Sequence, residues 1–294
     1  AEEGLRLAYF AGMLWLGQRR LTEARTALDA LLALDAASRP NLARAYALDV
    51  AYVTACKQGD TAAAKALAVE QLAIASRIGS RPAIASALQW LAMALRELGD
   101  LDGALAASTE SLTLWHDLGN RELAAAALIR HGEIYQARGE LERARAAYEQ
   151  SATEFAALGT TVKRLHHHRG SVCLEQGDLA AARVSFERYI KDLADLPPVW
   201  VLSALADFAE LAVAERRPEL ALRLASTLEA FGSASGTTLQ ATERRPLDRW
   251  LTIARQALTP EEIATAWQEG QNLTPEQSGV GRAYGSGFAA IVRN

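Results

Sequence analysis

The sequence predicts an all-α solenoid: a right-handed stack of about six helical hairpins closed by a short helical cap. Three observations carry the prediction. The first is a register. The segments RRLTEAR, GDTAAAK, GDLDGAL, GELERAR, GDLAAAR and RRPELAL open at Arg19, Gly59, Gly99, Gly139, Gly177 and Arg216, which are 40, 40, 40, 38 and 39 residues apart. Each has alanine as its sixth residue: Ala24, Ala64, Ala104, Ala144, Ala182 and Ala221. A fixed period of this length over more than 200 residues is the signature of a stacked array. The second is composition. Half of the 294 residues are apolar but only 6% are aromatic, and alanine and leucine, both strong helix formers, dominate. The third is punctuation, with a glycine where most of the helical patterns end and, after Gly59, Gly99, Gly119, Gly139 and Gly177, an acid or amide just behind it.

The elements follow in order. Residues 1–236 read as the array, in units of about 3–36, 40–79, 81–119, 121–159, 161–196 and 198–232. One unit shows the logic. The stretch AIASALQWLAMALRELGD, Ala83–Asp100, has helical apolar spacing and stops at Gly99, which can take the left-handed conformation that closes a helix. Asp100 is then placed to cap the next helix by accepting an orphan backbone N–H. That second helix closes at Gly119, as its counterparts do at Gly79 and Gly159. The small Ala104, Ala144 and Ala182 let the two helices of a hairpin approach closely. One hairpin cannot bury its own apolar face, so the units must stack. The first and last units lack the glycine, having Arg19 and Arg216 instead, as atypical end units do.

The pattern resembles the tetratricopeptide repeat. The fourth unit has Leu128, Gly132, Tyr135, Gly139, Ala144 and Tyr148 at that repeat's spacing; the fifth keeps Gly170, Gly177, Ala182 and Phe186. The third has Leu88, Leu91, Gly99 and Ala104, with Ala92 for the small glycine. The period is longer than the common 34 residues, so longer helices are expected, and the closing proline is missing.

Residues 237–277 read as a helical cap and 278–294 as a Gly-rich tail. Thr259 with Pro260 and the acids behind it is a helix start, and Thr274-Pro275-Glu276 repeats the device. The ending also resembles that of bacterial LuxR-type and signal-transduction NTPase regulators. Those proteins close an array of such repeats with an A-x-x-x-L … A-W-x-E-G-x-x-L-T-x-E segment. Ala254, Leu258, Ala266, Trp267, Glu269, Gly270, Leu273, Thr274 and Glu276 match it. The resemblance implies a sensor arm with an NTPase domain upstream in the same chain. The start, AEEGLRLAYF, lacks an initiator Met and a signal-peptide pattern, so the chain is expected to be a fragment of a longer cytoplasmic protein.

Several chemistries are weighed and set aside. Net charge is −4, which gives no field for nucleic acid; no direct nucleic-acid contact, membrane association or cofactor is expected. GVGRAYGSG follows no strand, so it reads as tail rather than phosphate cradle. In LHHHRG, His166, His167 and His168 point about 100° apart around a helix and cannot converge on a metal. By repeat position His167 faces the groove, and His166 and His168 face neighbouring helices. Cys56 and Cys173 read as free thiols. The acid pairs Glu140/Glu142 and Glu261/Glu262 sit at helix starts, where the macrodipole favours them. Two local basic clusters, Lys163/Arg164/His167/Arg169 and Arg244/Arg245/Arg249, read as solvated faces, although Arg164 and His167 share a face able to hold an anionic group.

No convergent catalytic set is visible, so the chain is expected not to be an enzyme. The remaining candidate is the concave groove lined by the first helix of each hairpin. Transferring the repeat's inward positions gives Tyr9 and Met13 in the first unit; Tyr46, Asp49, Val53 and Cys56 in the second; and Ser86, Gln89, Met93 and Arg96 in the third. It continues with Ile129, Glu133 and Gln136, then Arg164, His167 and Ser171, and finally Glu210. The expected partner is a protein, a peptide or a small ligand bound there. The leading expectation is a sensor and interaction arm of a transcription regulator; the alternative is a free-standing adaptor.

Overall fold

The computed structural model describes residues 2–17, 20–34, 40–162, 164–191, 198–239 and 241–272. Among these residues the chain forms fourteen α-helices and no strand. They divide into two compact units, Ala1–Thr160 and Thr161–Asn294.

The first unit holds four hairpins. They are α1 (Glu2–Gly17) with α2 (Leu21–Leu32), α3 (Leu42–Lys57) with α4 (Thr61–Ile78), α5 (Arg81–Glu97) with α6 (Leu101–Asp117), and α7 (Arg121–Ala137) with α8 (Leu141–Ala157). Each helix packs on the next, and first helices also touch across hairpins: α1 with α3, α3 with α5, α5 with α7. The turn chemistry is the one expected. Gly59, Gly79, Gly99, Gly119, Gly139 and Gly159 all have positive φ. Asp60, Asp100 and Asn120 accept from the backbone N–H of Ala63, Gly103 and Leu123 at 3.0 Å. Glu140 occupies the same position without a side-chain cap and instead pairs with Arg138 and Arg143.

Two features of the packing recur at the repeat period. Ala24, Ala64, Ala104 and Ala144 are completely buried where the helices of a hairpin cross. A polar side chain on the second helix also latches to a carbonyl of the first. Gln71 donates to the Ala45 carbonyl at 3.3 Å, Ser111 to Ala85 at 2.7 Å, and Ser151 to Ala125 at 2.7 Å. Each latch satisfies a buried donor, which would otherwise cost about 1–3 kcal/mol. Gly132 admits the Tyr148 ring: a Cβ there would lie 2.3 Å from it.

The second unit holds α9 (Arg164–Glu175) with α10 (Leu179–Lys191), α11 (Pro198–Ala214) with α12 (Pro218–Ser235), then α13 (Ala241–Gln256) and α14 (Pro260–Gln271). Ala182 and Ala221 are again fully buried, and Gly170 takes the Phe186 ring as Gly132 takes Tyr148. Arg216 stands where the other turns have glycine. It keeps the left-handed backbone at φ 60°, so the last hairpin preserves the turn at the expense of a strained non-glycine residue.

α13 packs on α11 and α12, and α14 on α12. Their Leu247, Leu251, Ala254 and Ala266 join one apolar core with α11 and α12. Thr259 and Glu262 form a reciprocal capping box at the start of α14. The Ala-Trp-x-Glu-Gly stretch then has a packing explanation. Ser226 donates to the Trp267 carbonyl at 2.6 Å and Thr227 to the Gly270 carbonyl at 3.0 Å. Glu269 pairs with Arg223 at 2.7 Å. Gly270 lies so close to α12 that a Cβ would stand 2.2 Å from the Arg223 carbonyl oxygen. The second Thr-Pro-Glu, with Leu273, Thr274 and Glu276, and the tail 278–294 with its GVGRAYGSG stretch lie outside the described residues.

Candidate functional site

The 40-residue offset places the groove candidates of the first unit at equivalent positions on α3, α5 and α7. Tyr46 corresponds to Ser86; Asp49 to Gln89 and Ile129; Val53 to Met93 and Glu133; Cys56 to Arg96 and Gln136. Tyr9 and Met13 hold the corresponding positions on α1. Most of them are half-buried, Tyr46, Met13 and Cys56 are exposed, and Ile129 and Glu133 are buried.

Their environments differ sharply from one helix to the next. Asp49 on α3 accepts two hydrogen bonds through Oδ1, each 2.6 Å long, from Gln71 Nε2 and Trp90 Nε1. Both donors are neutral, and no cation pairs with Asp49 among the described residues. Burial lifts its carboxyl above the ordinary 3.8, with the two bonds pulling the other way. Trp90 also stacks on Tyr52, centroids 4.9 Å apart and planes 34° apart, and Val53 and Met93 pack around this pair. Ser86 and Gln89 have no side-chain hydrogen-bond partner among the described residues. Tyr46 leans on Tyr9 at 5.7 Å. The α3–α5 face therefore presents an acid, two unengaged polar groups and a rim of aromatic and thioether side chains.

On the α5–α7 face the charges are paired within the chain. Glu133 is 7% exposed and receives Arg96 at 3.0 Å and Arg130 at 2.7 Å, while Arg96 also reaches Glu97 at 2.7 Å. Burial opposes the Arg96 charge, but Glu133 and Glu97 outweigh it and hold its pKa above the ordinary value. Gln136 accepts from the Tyr148 hydroxyl at 3.1 Å, and Ile129 is core. These candidates hold the hairpins together.

In the second unit, His167 on α9 meets Asp207 on α11, Nδ1 to Oδ2 2.7 Å, with both side chains largely buried. Tyr189 and His168 flank the imidazole, centroids 5.7 and 5.0 Å away. The anion that His167 faces is thus the chain's own carboxylate. Arg164, Ser171 and Glu210 are half-buried, as is His166, while His168 is buried. Among the described residues no three His, Cys, Asp or Glu side chains are grouped to hold a metal. Cys56 is an exposed and Cys173 a buried free thiol. Of the basic residues near the cap, Arg244 is neutralised by Glu229 and Asp248, and Arg249 lies over the Trp250 ring. A shallow cleft lined by Gly99–Asp102, Ala137, Arg138 and Glu140 sits at the hairpin turns. Its Arg138 is paired with Asp102 and Glu140.

Sequence reasoning missed Gln71, Trp90, Arg130 and Asp207, the residues that decide which candidates are engaged. For Trp90 and Asp207 the signal is the repeat offset. The ties Asp49 to Trp90, Arg96 to Glu133 and His167 to Asp207 span 41, 37 and 40 residues, so each joins successive first helices.

Residues 83–155, which run through α5–α8, match the tetratricopeptide repeat family model. The fold is tetratricopeptide-like. Among solved structures, the apo form of the quorum sensor NprR from B. thuringiensis aligns with a TM-score of 0.61 at 12% identity, covering 98% of this chain and 82% of that one. NprR in complex with its cognate peptide NprX aligns at 0.57 and 14%, covering 97% and 76%. The apo form of RapI aligns at 0.58 and 15%, covering 89% and 99%. At these identities the likeness is one of fold. The search of curated proteins returned no match. Among the described residues no helix is long and apolar enough to cross a membrane.

Proposed function

We propose that this chain is a non-enzymatic interaction module whose α3–α5 face binds an extended peptide segment carrying a basic side chain. The observation that carries the reading is Asp49. A half-buried carboxylate with only neutral donors is costly, because burial disfavours its charge and nothing opposite compensates. A lysine or arginine of a partner supplies the missing charge. Ser86 and Gln89, without side-chain partners, are free to bond the partner's backbone, and Met93, Val53 and Tyr46 offer adaptable apolar contact. Arg96, Glu133, Gln136 and Ile129 serve as scaffold, and Arg164, His167, Ser171 and Glu210 form a separate candidate surface in the second unit.

The wider setting is a sensor arm of a bacterial transcription regulator with an upstream NTPase in the same polypeptide, acting in the cytoplasm. The match of the closing Ala-Trp-x-Glu-Gly segment to such regulators supports it, as does the fold shared with a quorum sensor solved with its peptide. Peptide binding would act there by differential affinity for two states of the regulator.

The test is a selection of random peptides displayed on phage against the 294-residue protein, repeated on Asp49→Asn. Enrichment of sequences with Lys or Arg at a fixed position, absent on the variant, supports the reading. Enrichment of the same sequences on both proteins overturns the role of Asp49, and selection of no peptide overturns the peptide reading.

A further inference from the structure

The two oxygens of Asp49 are used unequally. Oδ1 receives both Gln71 Nε2 and Trp90 Nε1, each at 2.6 Å. A carboxylate oxygen has two lone-pair positions, so Oδ1 is full. Oδ2 takes no hydrogen bond among the described residues, and solvent reaches it. Both donors are held in place. Gln71 is 1% exposed, and its Nε2 also bonds the Ala45 carbonyl at 3.3 Å. Trp90 is stacked on Tyr52. The charge that Asp49 has left to offer is therefore presented through one oxygen in a fixed orientation.

That asymmetry separates the two basic side chains. A guanidinium binds a carboxylate best as a fork, with one N–H on each oxygen, and gains further by stacking on an aromatic face. The fork is closed here because Oδ1 has no lone pair left. Stacking is hindered because Trp90 meets Asp49 through its N–H edge and has Tyr52 against one face, planes 34° apart. A guanidinium can put two N–H groups on one oxygen, as Arg44 does on Glu70 Oε1. At Oδ2 it would still have the rest of its five donors to satisfy. An ammonium is a point charge with three donors that turn freely. Oδ2 takes one of them. The Ser86 hydroxyl and the Gln89 amide oxygen, on the α5 face that Trp90 ties to Asp49, are acceptors for the others.

We propose that the Asp49 subsite is a primary-ammonium site, which selects lysine over arginine in the bound segment. The inference rests on the reading of Asp49 as the acceptor of a partner's basic residue, and adds which basic residue it is. The lysine ammonium bonds Oδ2, and its alkyl stem lies against Val53 and Met93, which pack beside Trp90. Gln71 and Trp90 act as positioning residues. By filling Oδ1 they decide which oxygen is offered, and so which cation fits it.

The test uses three pools of short random peptides, acetylated at the N-terminus and free of Lys, Arg and His at the random positions. The pools differ only in a fixed central residue, which is lysine, arginine or the uncharged norleucine. Capture by the immobilised 294-residue protein is measured by mass spectrometry. The lysine pool is expected to be captured about tenfold more than either of the others, with the difference lost on Asp49→Asn. Equal capture of the lysine and arginine pools, both above norleucine and both lost on Asp49→Asn, overturns the lysine inference and leaves the basic-residue reading standing. Equal capture of all three pools, or of none, overturns that reading and the inference with it. Trp90→Phe tests the cause. It keeps a ring against Tyr52 and returns a lone-pair position to Oδ1, so arginine capture should rise to within about threefold of lysine. An unchanged ratio in the folded variant overturns the role given to Oδ1. Gln71→Leu removes the other donor and is scored in the same way if Trp90→Phe does not fold.

Discussion

Asp49 and Glu133 are two carboxylates on the inner positions of first helices in the same unit, and they have opposite surroundings. Glu133 is buried between Arg96 and Arg130. Asp49 is held only by Gln71 and Trp90. The comparison separates structure from recognition on a face that the repeat pattern treats as uniform. A buried acid with two guanidinium partners belongs to the scaffold, whereas one with neutral donors has charge left to offer.

The sharpest way to break the comparison is to remove each acid. Glu133→Ala leaves two half-buried guanidinium groups facing each other, and a loss of about 3–4 kcal/mol is expected in urea unfolding. A loss below about 1 kcal/mol would place Glu133 among the dispensable surface acids. Asp49→Asn keeps an acceptor for Trp90 and Gln71 while removing the charge, so stability at pH 7 is expected to hold or rise by up to about 1 kcal/mol. The sign of the pH dependence is fixed by the direction of the shift. Asp49 has a folded pKa above the ordinary 3.8, so the folded protein retains a proton that the unfolded chain releases. Its contribution is full below 3.8 and is lost as pH rises through the folded value, so the advantage of the Asn variant should grow as pH rises from 3.8 through the folded value. Parallel stability curves for the two proteins over that range would contradict the assignment.

Two backbone positions sharpen the contrast between packed and open parts. Gly132→Ala drives a methyl into the Tyr148 ring, itself fully buried, and about 1–3 kcal/mol of destabilisation is expected. Arg216→Gly relieves the one left-handed non-glycine turn among the described residues, with an expected gain of about 0.5–1 kcal/mol in thermal unfolding.

The hairpins were legible because their signals are local. Gly99 ends α5 and Asp100 caps α6 within two residues, and Ala104 sits four residues further on, so a short window contains the whole device. The cap was legible for the same reason, since Thr259, Pro260 and Glu262 are consecutive or nearly so. The inner face was legible only as a set of positions. Whether Asp49 or Glu133 finds a cation depends on side chains about 40 residues away and on small rotations of one helix against another. Trp90 lies one position off the predicted column, and Asp207 was not singled out at all. The sequence also marked Arg216 as a departure without revealing that its backbone keeps the glycine conformation.

The most direct measurement is to take one basic peptide from the phage selection and record its Kd for the wild-type protein and for Asp49→Asn, with the Tm of each in the same buffer. The affinity is expected to fall about tenfold or more, equivalent to about 1.4 kcal/mol, while the variant's Tm stays level or rises. A lowered Tm with unchanged affinity would make Asp49 another scaffold acid, and the α3–α5 face would lose its claim as the binding surface.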